Sequence, residues 1–446
     1  VHSTNVPPIY QKVCSDMNLM FVGEEKAFCW NYFENGRAYS FKAILEEKEM
    51  FEAFREFIAK SVFESSSKTS FAKYKRSNQD YIINAFTNNI NSFTNMDTGK
   101  ERVEKAKDDG LLNIQKTDSA VCLTYGKCQS KHENDSQELF YNGTPKNYIM
   151  SACQSSGLSY LVRGNKIGVY AKDHGSCLEF SYSIDNIQTL TNSSPLYPTS
   201  AILHDQGSSC LMLDIDRQDN TVYKMDLSRE SIVEEWKVND ENTLMAICPS
   251  SQTPYRPNND QTIVGITSSS LFRIDPRQPR MNKLCESEYK KYSSRPEFST
   301  VSSSRSKHVA VGSKKGVIRI FDELNTVASI TLPPIGEPIL GLDIMPNGHY
   351  VLATCSNFLM LVHTISHDQA MTLRIRPEHV TLMNENVSFK RAYFDTLNEN
   401  NIICTTGSFV VFWNFKSVCQ GNFDSYKMQR LEAPIVASAN ASKEGL

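Results

Sequence analysis

Three short segments carry residue types that could do chemistry, and none has the spacing that the chemistry requires. The run Asp214–Asn220 is rich in carboxylates like a calcium loop, but it lacks the glycine and the closing glutamate of that motif. The run Gly312–Gly316 resembles a phosphate-binding loop, but a strand-like run follows it instead of a helix. His363 and His367 are four residues apart without the rest of a zinc-binding helix motif. The sequence therefore predicts turns at the first two places, no catalytic or metal-binding residues and no cofactor.

Basic side chains are the remaining candidates for contacts with a partner. Two of them lie in a glycine turn, and three lie inside apolar, strand-like runs. Strand positions two apart share a face, so cations at matching positions of successive strands could form a basic arc. The alternative is that they face solvent or pair with carboxylates of neighbouring blades. The candidate partner contacts are Lys314, Lys315, Arg273, Arg319 and Lys224.

The elements that would position these residues form a repeat. From Phe298 to Thr364 the chain runs twice through the same order: apolar run, polar turn, β-branched run, Gly or Asn turn, apolar run. The last of these runs recurs along the chain, with starts at residues 167, 222, 271, 318, 359 and 410. A period of about 40–50 residues made only of strands is typical of propeller blades. The run ending in Phe321-Asp322 comes closest to a WD repeat, but the Trp-Asp dipeptide is absent, so the sequence predicts a degenerate WD-like propeller.

The propeller is predicted to span residues 119–437. Six blades follow from the repeat, and residues 119–150 together with residues 432–440 could complete a seventh, because closure by both chain ends protects the sheet edges. Residues 438–446 are predicted to be a disordered tail. The proline-rich connection 332–339 could protrude as a recognition loop or be an ordinary inter-strand loop.

Residues 1–65 are predicted to be the end of a small α+β domain. Two alternating runs flank Glu34-Asn35-Gly36, a hairpin signal, and an amphipathic helix is predicted from about residue 46 to 63. Strands followed by one closing helix are how pleckstrin-homology-like and Ran-binding-like domains end. Because such a domain needs about 100 residues, the chain is expected to start inside one. Residues 66–118 are polar except for an apolar island at 81–86 and are predicted to be a solvated linker.

Composition argues against several classes of function. With a net charge of −3, the chain shows no overall preference for nucleic acid or for an anionic membrane. No run approaches 18 apolar residues, so no transmembrane segment is predicted. The 12 cysteines include no C-x-x-C pair, which favours reduced thiols in the cytosol or nucleus.

Long phrases of the chain resemble one family specifically. The runs at 211–238, 270–277 (SLFRIDPR) and 312–355 resemble the C-terminal WD-like domain of the vacuolar import and degradation protein 27 family, over most of residues 200–415. The stretch from Trp30 to Phe63 resembles the pleckstrin-homology-like domain that precedes the propeller in that family. The resemblance implies a cytoplasmic eukaryotic protein tied by family name to vacuolar import and degradation, and it brings no catalytic residues.

The sequence thus predicts a mainly β chain, in which a degenerate WD-like seven-bladed β-propeller follows a partial pleckstrin-homology-like α+β domain. The predicted function is a non-enzymatic scaffold that binds protein partners through propeller loops in the cytoplasm, with the nucleus or vesicle surfaces as alternatives. A second hypothesis is a targeting module, in which the N-terminal domain binds a small GTPase or a phosphoinositide. A third, an enzyme such as a propeller hydrolase or a metal-dependent lyase, has no motif; loss of an activity on mutating the carboxylates of Asp214–Asp219 would favour it.

Overall fold

The computed structural model describes residues 10–87, 89–90, 140–141, 147–153, 156–172, 178–250, 262–279, 281–365, 370–395 and 400–439. These residues form an N-terminal sheet with two helices, and then six consecutive four-stranded antiparallel sheets. The predicted fold class, a mainly β chain in which a WD-like propeller follows a small α+β domain, is confirmed.

The N-terminal domain is built on a four-stranded sheet. Its strands are β1 (Met20–Val22), β2 (Ala27–Glu34), β3 (Arg37–Ile44) and β4 (Asn89–Ile90). They lie in the order β3-β2-β1-β4, and β4 runs parallel to β1. Between β2 and β3, Asn35 and Gly36 have φ values of 49° and 71°, the left-handed geometry that a two-residue hairpin turn requires. The hairpin predicted at these residues is therefore present.

Two helices follow the hairpin, and the second corrects a prediction. Helix α1 spans Lys48–Ser67, and helix α2 spans Arg76–Phe86 inside the segment 66–118 that the sequence predicts to be a solvated linker. Ile82 and Ala85 are almost fully buried, because the apolar island folds as an amphipathic helix against α1 and the propeller. Residues 91–118 lie outside the described ranges. No helix in those ranges is both long and apolar enough to cross a membrane.

The first three blades cover residues 148–291. The first contains β5 (Tyr148–Ala152), β6 (Leu158–Arg163), β7 (Lys166–Lys172) and β8 (Leu178–Ile184). The second contains β9 (Ser200–His204), β10 (Ser209–Leu213), β11 (Thr221–Asp226) and β12 (Ser231–Lys237). The third contains β13 (Leu244–Pro249), β14 (Ile263–Thr267), β15 (Ser270–Ile274) and β16 (Lys290–Lys291).

The remaining three blades cover residues 298–430. The fourth contains β17 (Phe298–Ser303), β18 (Val309–Ser313), β19 (Ile318–Phe321) and β20 (Ile330–Thr331). The fifth contains β21 (Gly341–Ile344), β22 (Tyr350–Thr354), β23 (Leu359–His363) and β24 (Ala370–Leu373). The sixth contains β25 (Tyr393–Phe394), β26 (Asn401–Thr406), β27 (Phe409–Asn414) and β28 (Tyr426–Arg430). Helix α3 (Pro377–Met383) lies between the fifth and sixth blades, and helix α4 (Phe415–Cys419) lies between β27 and β28.

The core lies between neighbouring blades. Every residue of β10, β14 and β18 is buried, because the second strand of a blade is covered on both faces. Side chains alternate between the two neighbours: in β15, Phe272 packs with the second blade and Leu271 with the fourth. This two-sided burial explains why the repeated runs are largely apolar rather than alternating.

The C-terminal segment bridges the last blade and the first. The N–H groups of Leu431 and Ile435 donate to carbonyls of the sixth blade, at 2.8 Å each, and Ala437 and Ala439 pack against a core cluster of the first blade. Of the residues 119–150 that were predicted to help complete a seventh blade, 148–150 belong to β5 of the first blade. Most of the others lie outside the described ranges, so the seventh blade stays a prediction.

The disordered tail was predicted to begin at residue 438, before the last residues that the structure holds in place. Tyr393 Oη donates to Ser438 O at 3.2 Å, and Ala439 packs in the cluster of the first blade, so these first two residues of the predicted disordered segment 438–446 are placed by contacts. The rest of that segment lies outside the described ranges.

Candidate functional site

Turns and connections gather on one face of the propeller. In each blade, the turn from the second to the third strand and the connection from the fourth strand to the next blade lie at the same strand ends, because neighbouring strands are antiparallel. We call this side the connecting face. Loops held by a rigid scaffold are common binding positions, so this face is the first place to look for a partner site.

Lys314 and Lys315 project from the connecting face of the fourth blade. Gly316 has a φ of 79°, and a Cβ there would lie 2.4 Å from the Ile335 side chain, so only glycine fits this turn. Lys315 Nζ lies 2.8 Å from Glu297 Oε1, and both side chains are about half exposed. Lys314 is exposed and has no carboxylate partner among the residues that the structure describes. This glycine-rich run is therefore the turn that the sequence predicts, and it joins two paired antiparallel strands.

Two of the other predicted cations, Lys224 and Arg273, have carboxylate acceptors inside their blades. Lys224 Nζ lies 3.0 Å from Asp205 Oδ2 and 3.4 Å from Glu234 Oε1, and only 16% of its side chain is exposed. Burial lowers its pKa, but hydrogen bonds to these two carboxylates raise it more, and the net shift is upward. Arg273 Nε pairs with Glu288 of its own blade. These two cations therefore pair with carboxylates, but with those of their own blades and not with those of neighbouring blades, as the alternative had it.

The side chain of Arg319 does not point the same way around the ring as those of Lys224 and Arg273. It has the same strand parity as Phe321, which packs toward the third blade, and its guanidinium lies 4.8 Å from the Tyr292 ring centroid and 5.6 Å from that of Phe298. Arg273 instead shares parity with Leu271 and faces the fourth blade. The continuous basic arc is therefore not formed. The sequence held a signal for this: Arg319 stands three residues before its strand-ending Asp, and Arg273 only two.

The N-terminal domain is packed onto the propeller at the fourth and fifth blades. One continuous core cluster contains Phe51 and Phe63 of α1, Ile82 of α2, Ile320 of the fourth blade and Phe358 of the fifth. Helix α2 also contacts β24, the outer strand of the fifth blade. The two parts of the chain therefore share one hydrophobic core instead of being joined only by a linker.

Buried amide side chains fix the relative position of the two parts. Asn31, fully buried, donates from Nδ2 to Pro377 O at 2.8 Å, and Asn18 donates from Nδ2 to Ile375 O at 2.8 Å. Asn384, at the end of α3, accepts the Ala38 N–H at 2.9 Å. Because a buried polar group left without a partner is costly, these contacts specify one docked arrangement.

The proline-rich connection 332–339 forms part of this junction. Ile335 and Ile339 are fully buried, and Glu337 is only 7% exposed and accepts a hydrogen bond from Ser66 Oγ of α1. A Cβ on Gly336 would lie 3.2 Å from Ser67. The connection therefore does not protrude, and it contacts the end of α1 within the same chain.

A buried arginine sits where the two parts meet. Arg374 is 8% exposed, and its guanidinium lies 4.4 Å from the Phe358 ring centroid. Burial lowers the pKa of Arg374 to about 10, against opposing effects of Cys355 and Glu337. Leu19 and Phe86 line two small cavities beside it. These cavities are too small for an organic ligand, and the arginine acts as part of the junction.

The residues that could do chemistry are used structurally. Asp214 Oδ2 accepts the Tyr197 N–H at 3.2 Å, and Arg217 Nε lies 3.2 Å from Asp219 Oδ2, so the carboxylate run is a turn held by internal contacts. Burial raises the pKa of Asp214 despite the hydrogen bond from Tyr197. Among the described residues, no three His, Cys, Asp or Glu side chains are grouped so that they could hold a metal.

The predicted histidine pair is only half described. His363 packs against Tyr350, with ring centroids 4.8 Å apart. His367 lies outside the described residues, so the structure gives no geometry for the pair.

Sequence reasoning missed the apolar side chains that the connecting face exposes. Tyr197 is 52% exposed and Leu340 54%, and both lie in connections between blades, while Val436, 52% exposed, lies in the C-terminal segment beside the turn at Gly407. Single apolar residues in polar or proline-containing loops give no periodic signal, so the sequence did not predict that these side chains are exposed. Together with Lys314 and Lys315, they make this face partly apolar and partly cationic.

A second partly exposed surface lies on the N-terminal sheet. Rings stack from Phe54 to Phe28 (4.4 Å between centroids), from Phe28 to Trp30 (5.2 Å) and from Trp30 to Phe41 (5.4 Å). Phe57, one turn further along α1 than Phe54, is 60% exposed. Helix α1 is therefore buried on one side, with Phe51 and Phe63 in the core and Phe57 exposed.

Comparison with known families accounts for both parts of the chain. Residues 145–370 and 365–440 match the family model described as the VID27 C-terminal WD40-like domain. Residues 2–65 match the model described as the VID27 PH-like domain. The predicted resemblance, including the pleckstrin-homology-like domain before the propeller, is confirmed.

Two curated relatives carry the same name, vacuolar import and degradation protein 27. The protein of Schizosaccharomyces pombe is 28% identical over 96% of this chain, and that of Saccharomyces cerevisiae is 30% identical over 63% of it. The alignments cover 57% and 39% of the relatives, so the chain spans little more than half the length of the first. Since family models match the greater part of the chain, it belongs to the VID27 family.

Proposed function

We propose that the chain is a non-enzymatic scaffold that binds protein partners on the connecting face of its propeller. The observation that carries the proposal is the composition of that face. It combines the exposed side chains of Tyr197, Leu340 and Val436 with the cations Lys314 and Lys315 on rigid blade ends. Protein-binding surfaces combine apolar side chains with polar ones around them, and loops on a rigid scaffold are common places for such a surface.

The cellular setting of this scaffold follows from the relatives. Their name ties them to vacuolar import and degradation, and we propose that this chain serves the same process. We place it in the cytoplasm, and buried thiols such as Cys210, Cys248 and Cys355, which form no disulfide, support a reducing compartment. A non-enzymatic role fits the structural use of the carboxylates in the Asp214–Asn220 turn.

A second candidate uses the N-terminal domain for targeting. The half-exposed aromatic surface around Trp30 and Phe57 favours a protein partner there, such as a small GTPase. A phosphoinositide has less support, because Lys42 of the hairpin already pairs with Glu25. Under this second hypothesis, the propeller is the platform that holds the N-terminal domain.

Point variants of the full chain separate these two functions. Cutting the chain between its parts would expose the shared core, so we would immobilise the intact wild type, a Tyr197→Glu/Leu340→Glu variant and a Trp30→Ser/Phe57→Ser variant. Mass spectrometry then identifies what each retains from cell lysate. The proposal expects a set of proteins that the wild type and the second variant retain and the first loses. Loss only in the second variant would move the function to the N-terminal domain, and equal retention by all three would contradict both candidates.

A further inference from the structure

Four cations lie around the junction between α1 and the fourth blade. Arg295 comes from the connection between the third and fourth blades, Lys314 and Lys315 from the turn of the fourth blade, and Lys68 from the end of α1. The Gly336 N–H donates to Lys315 O at 3.1 Å. A Cβ on Gly336 would lie 3.2 Å from Ser67, the residue before Lys68, so cations from both parts of the chain border one close approach. We call Lys68, Arg295, Lys314 and Lys315 the junction patch.

The carboxylates of this region do not cancel the charge of the patch. Glu337 is buried and accepts from Ser66, and Glu64 Oε1 accepts the Phe71 N–H at 2.8 Å, so both are directed into the protein. Glu297 pairs with Lys315 alone. Among the described residues, Lys314 and Arg295 have no carboxylate partner, and the ammonium of Lys68 donates to a backbone carbonyl. The patch therefore presents excess positive charge to solvent.

The loop that carries Arg295 is held in an unusual backbone conformation. Arg295 has a φ of 46° and Glu297 a φ of 57°, and Pro296 stands between them. Left-handed backbone is uncommon for residues other than glycine, and it persists where the surroundings hold it. The Lys314 N–H donates to Glu297 O at 2.9 Å, which ties this loop to the lysine turn. Such held, strained segments are concentrated at binding sites, and here the strain falls inside the patch.

One exposed apolar side chain accompanies the cations. The Ile339 N–H donates to Ser313 O at 3.1 Å, which brings the next residue, Leu340, beside the lysine turn. Leu340 is 54% exposed and is the single exposed large hydrophobic side chain in the described segments around the patch. A ligand that matches this surface carries several negative charges and one apolar group.

We propose that the junction patch binds an acidic, extended protein segment whose apolar side chain contacts Leu340. This deepens the proposed scaffold function and rests on it. An anionic membrane would be attracted by the same charges, but stable peripheral binding to lipid also needs a substantial apolar contribution, and this patch offers one half-exposed leucine. Charge complementarity with a single apolar contact favours a peptide partner. Because both parts of the chain contribute cations, the site exists only in the docked arrangement.

The direct test is the affinity of the intact chain for a defined probe. The probe is a fluorescein-labelled peptide of glutamates with one central leucine, and its control has glutamines in place of the glutamates. Fluorescence anisotropy should show binding of the acidic peptide alone, weakening as salt is added. Lys314→Glu/Lys315→Glu should weaken binding of the acidic peptide by about tenfold or more. Lys68→Asn should weaken it by about twofold to fivefold, and asparagine is chosen because it tolerates the left-handed backbone at this position.

Matched controls decide between a site and general attraction. Lys416 and Lys427 are exposed lysines of the sixth blade, and reversing both should change affinity less than about twofold. An equal loss in this control, or equal binding of the glutamine peptide, would overturn the proposal. Binding of the full chain to phosphatidylserine vesicles that is lost on Lys314→Glu/Lys315→Glu, without binding of the acidic peptide, would overturn it in favour of lipid.

Failure of this site is distinguishable from failure of the scaffold. If the Tyr197→Glu/Leu340→Glu variant loses protein partners while Lys314→Glu/Lys315→Glu retains them and binds the probe normally, the scaffold stands and the junction patch does not. If the wild type binds the acidic peptide and captured partners are lost from both variants, the two proposals are supported together.

Discussion

The shared core predicts that the N-terminal domain stabilises the propeller, and Phe86 tests this. Phe86, on α2, is 5% exposed and packs edge-on against Phe358 of the fifth blade, with ring centroids 6.1 Å apart. Truncating a buried phenylalanine costs about 3–5 kcal/mol. If residues 66–118 were a solvated linker, Phe86→Ala would change stability by no more than about 0.5 kcal/mol.

Tryptophan fluorescence can report the propeller alone. The chain has three tryptophans, of which Trp236 and Trp413 are buried in the second and sixth blades. In a Trp30→Phe background, urea unfolding followed by fluorescence therefore measures the propeller. We expect Phe86→Ala to lower that free energy of unfolding by about 3–5 kcal/mol. The control Phe57→Ala removes a side chain that is 60% exposed and should change it by about 0.5 kcal/mol or less.

Two outcomes would refute this reasoning. An unchanged propeller transition in Phe86→Ala would show that the helix is not part of the same cooperative unit. An equal effect of the exposed-site control would show that the loss does not come from the shared core.

Further predictions concern the lysine turn and one partly buried carboxylate. Gly316→Ala forces a Cβ against Ile335 and should lower the free energy of unfolding by about 1–3 kcal/mol in urea titrations; an unchanged midpoint would contradict the turn geometry. Glu297→Gln breaks a half-exposed pair with Lys315 and should cost no more than about 1 kcal/mol, less at high salt. Burial raises the pKa of Asp343 to about 6, so its contribution to stability is present below the unfolded pKa of about 4 and is lost as pH rises through 6. Asp343→Asn should reduce this loss of stability as pH rises. An identical pH dependence of the free energy of unfolding in the wild type and the variant would contradict the assignment of the loss to Asp343.

The repeat could be predicted because its signal is local. The apolar runs starting at 167, 222, 271, 318, 359 and 410 are the third strands of six blades, as expected. Two-sided burial makes each run largely apolar, with a single cation inside three of them, and turns such as that at Gly316 separate the runs. Strand identity therefore needs no knowledge of the rest of the fold.

What could not be predicted depends on contacts between distant residues. The apolar island at 81–86 is too short to be recognised as a helix on its own, and its burial depends on contacts with the fifth blade, including its outer strand β24. The connection 332–339 looked like a loop in solvent because its partner, the end of α1, lies some 270 residues earlier. Exposure of Leu340 is likewise set by the assembled blades.

The most direct test of the central claim is the footprint of a captured partner on the intact chain. Amide hydrogen exchange would be measured with and without that partner. If the partner binds the connecting face, amide exchange should slow in the turn 313–317 and in the connections around Tyr197 and Leu340. Protection confined to the N-terminal aromatic surface around Trp30, or to the turns on the opposite face of the blades, would contradict it.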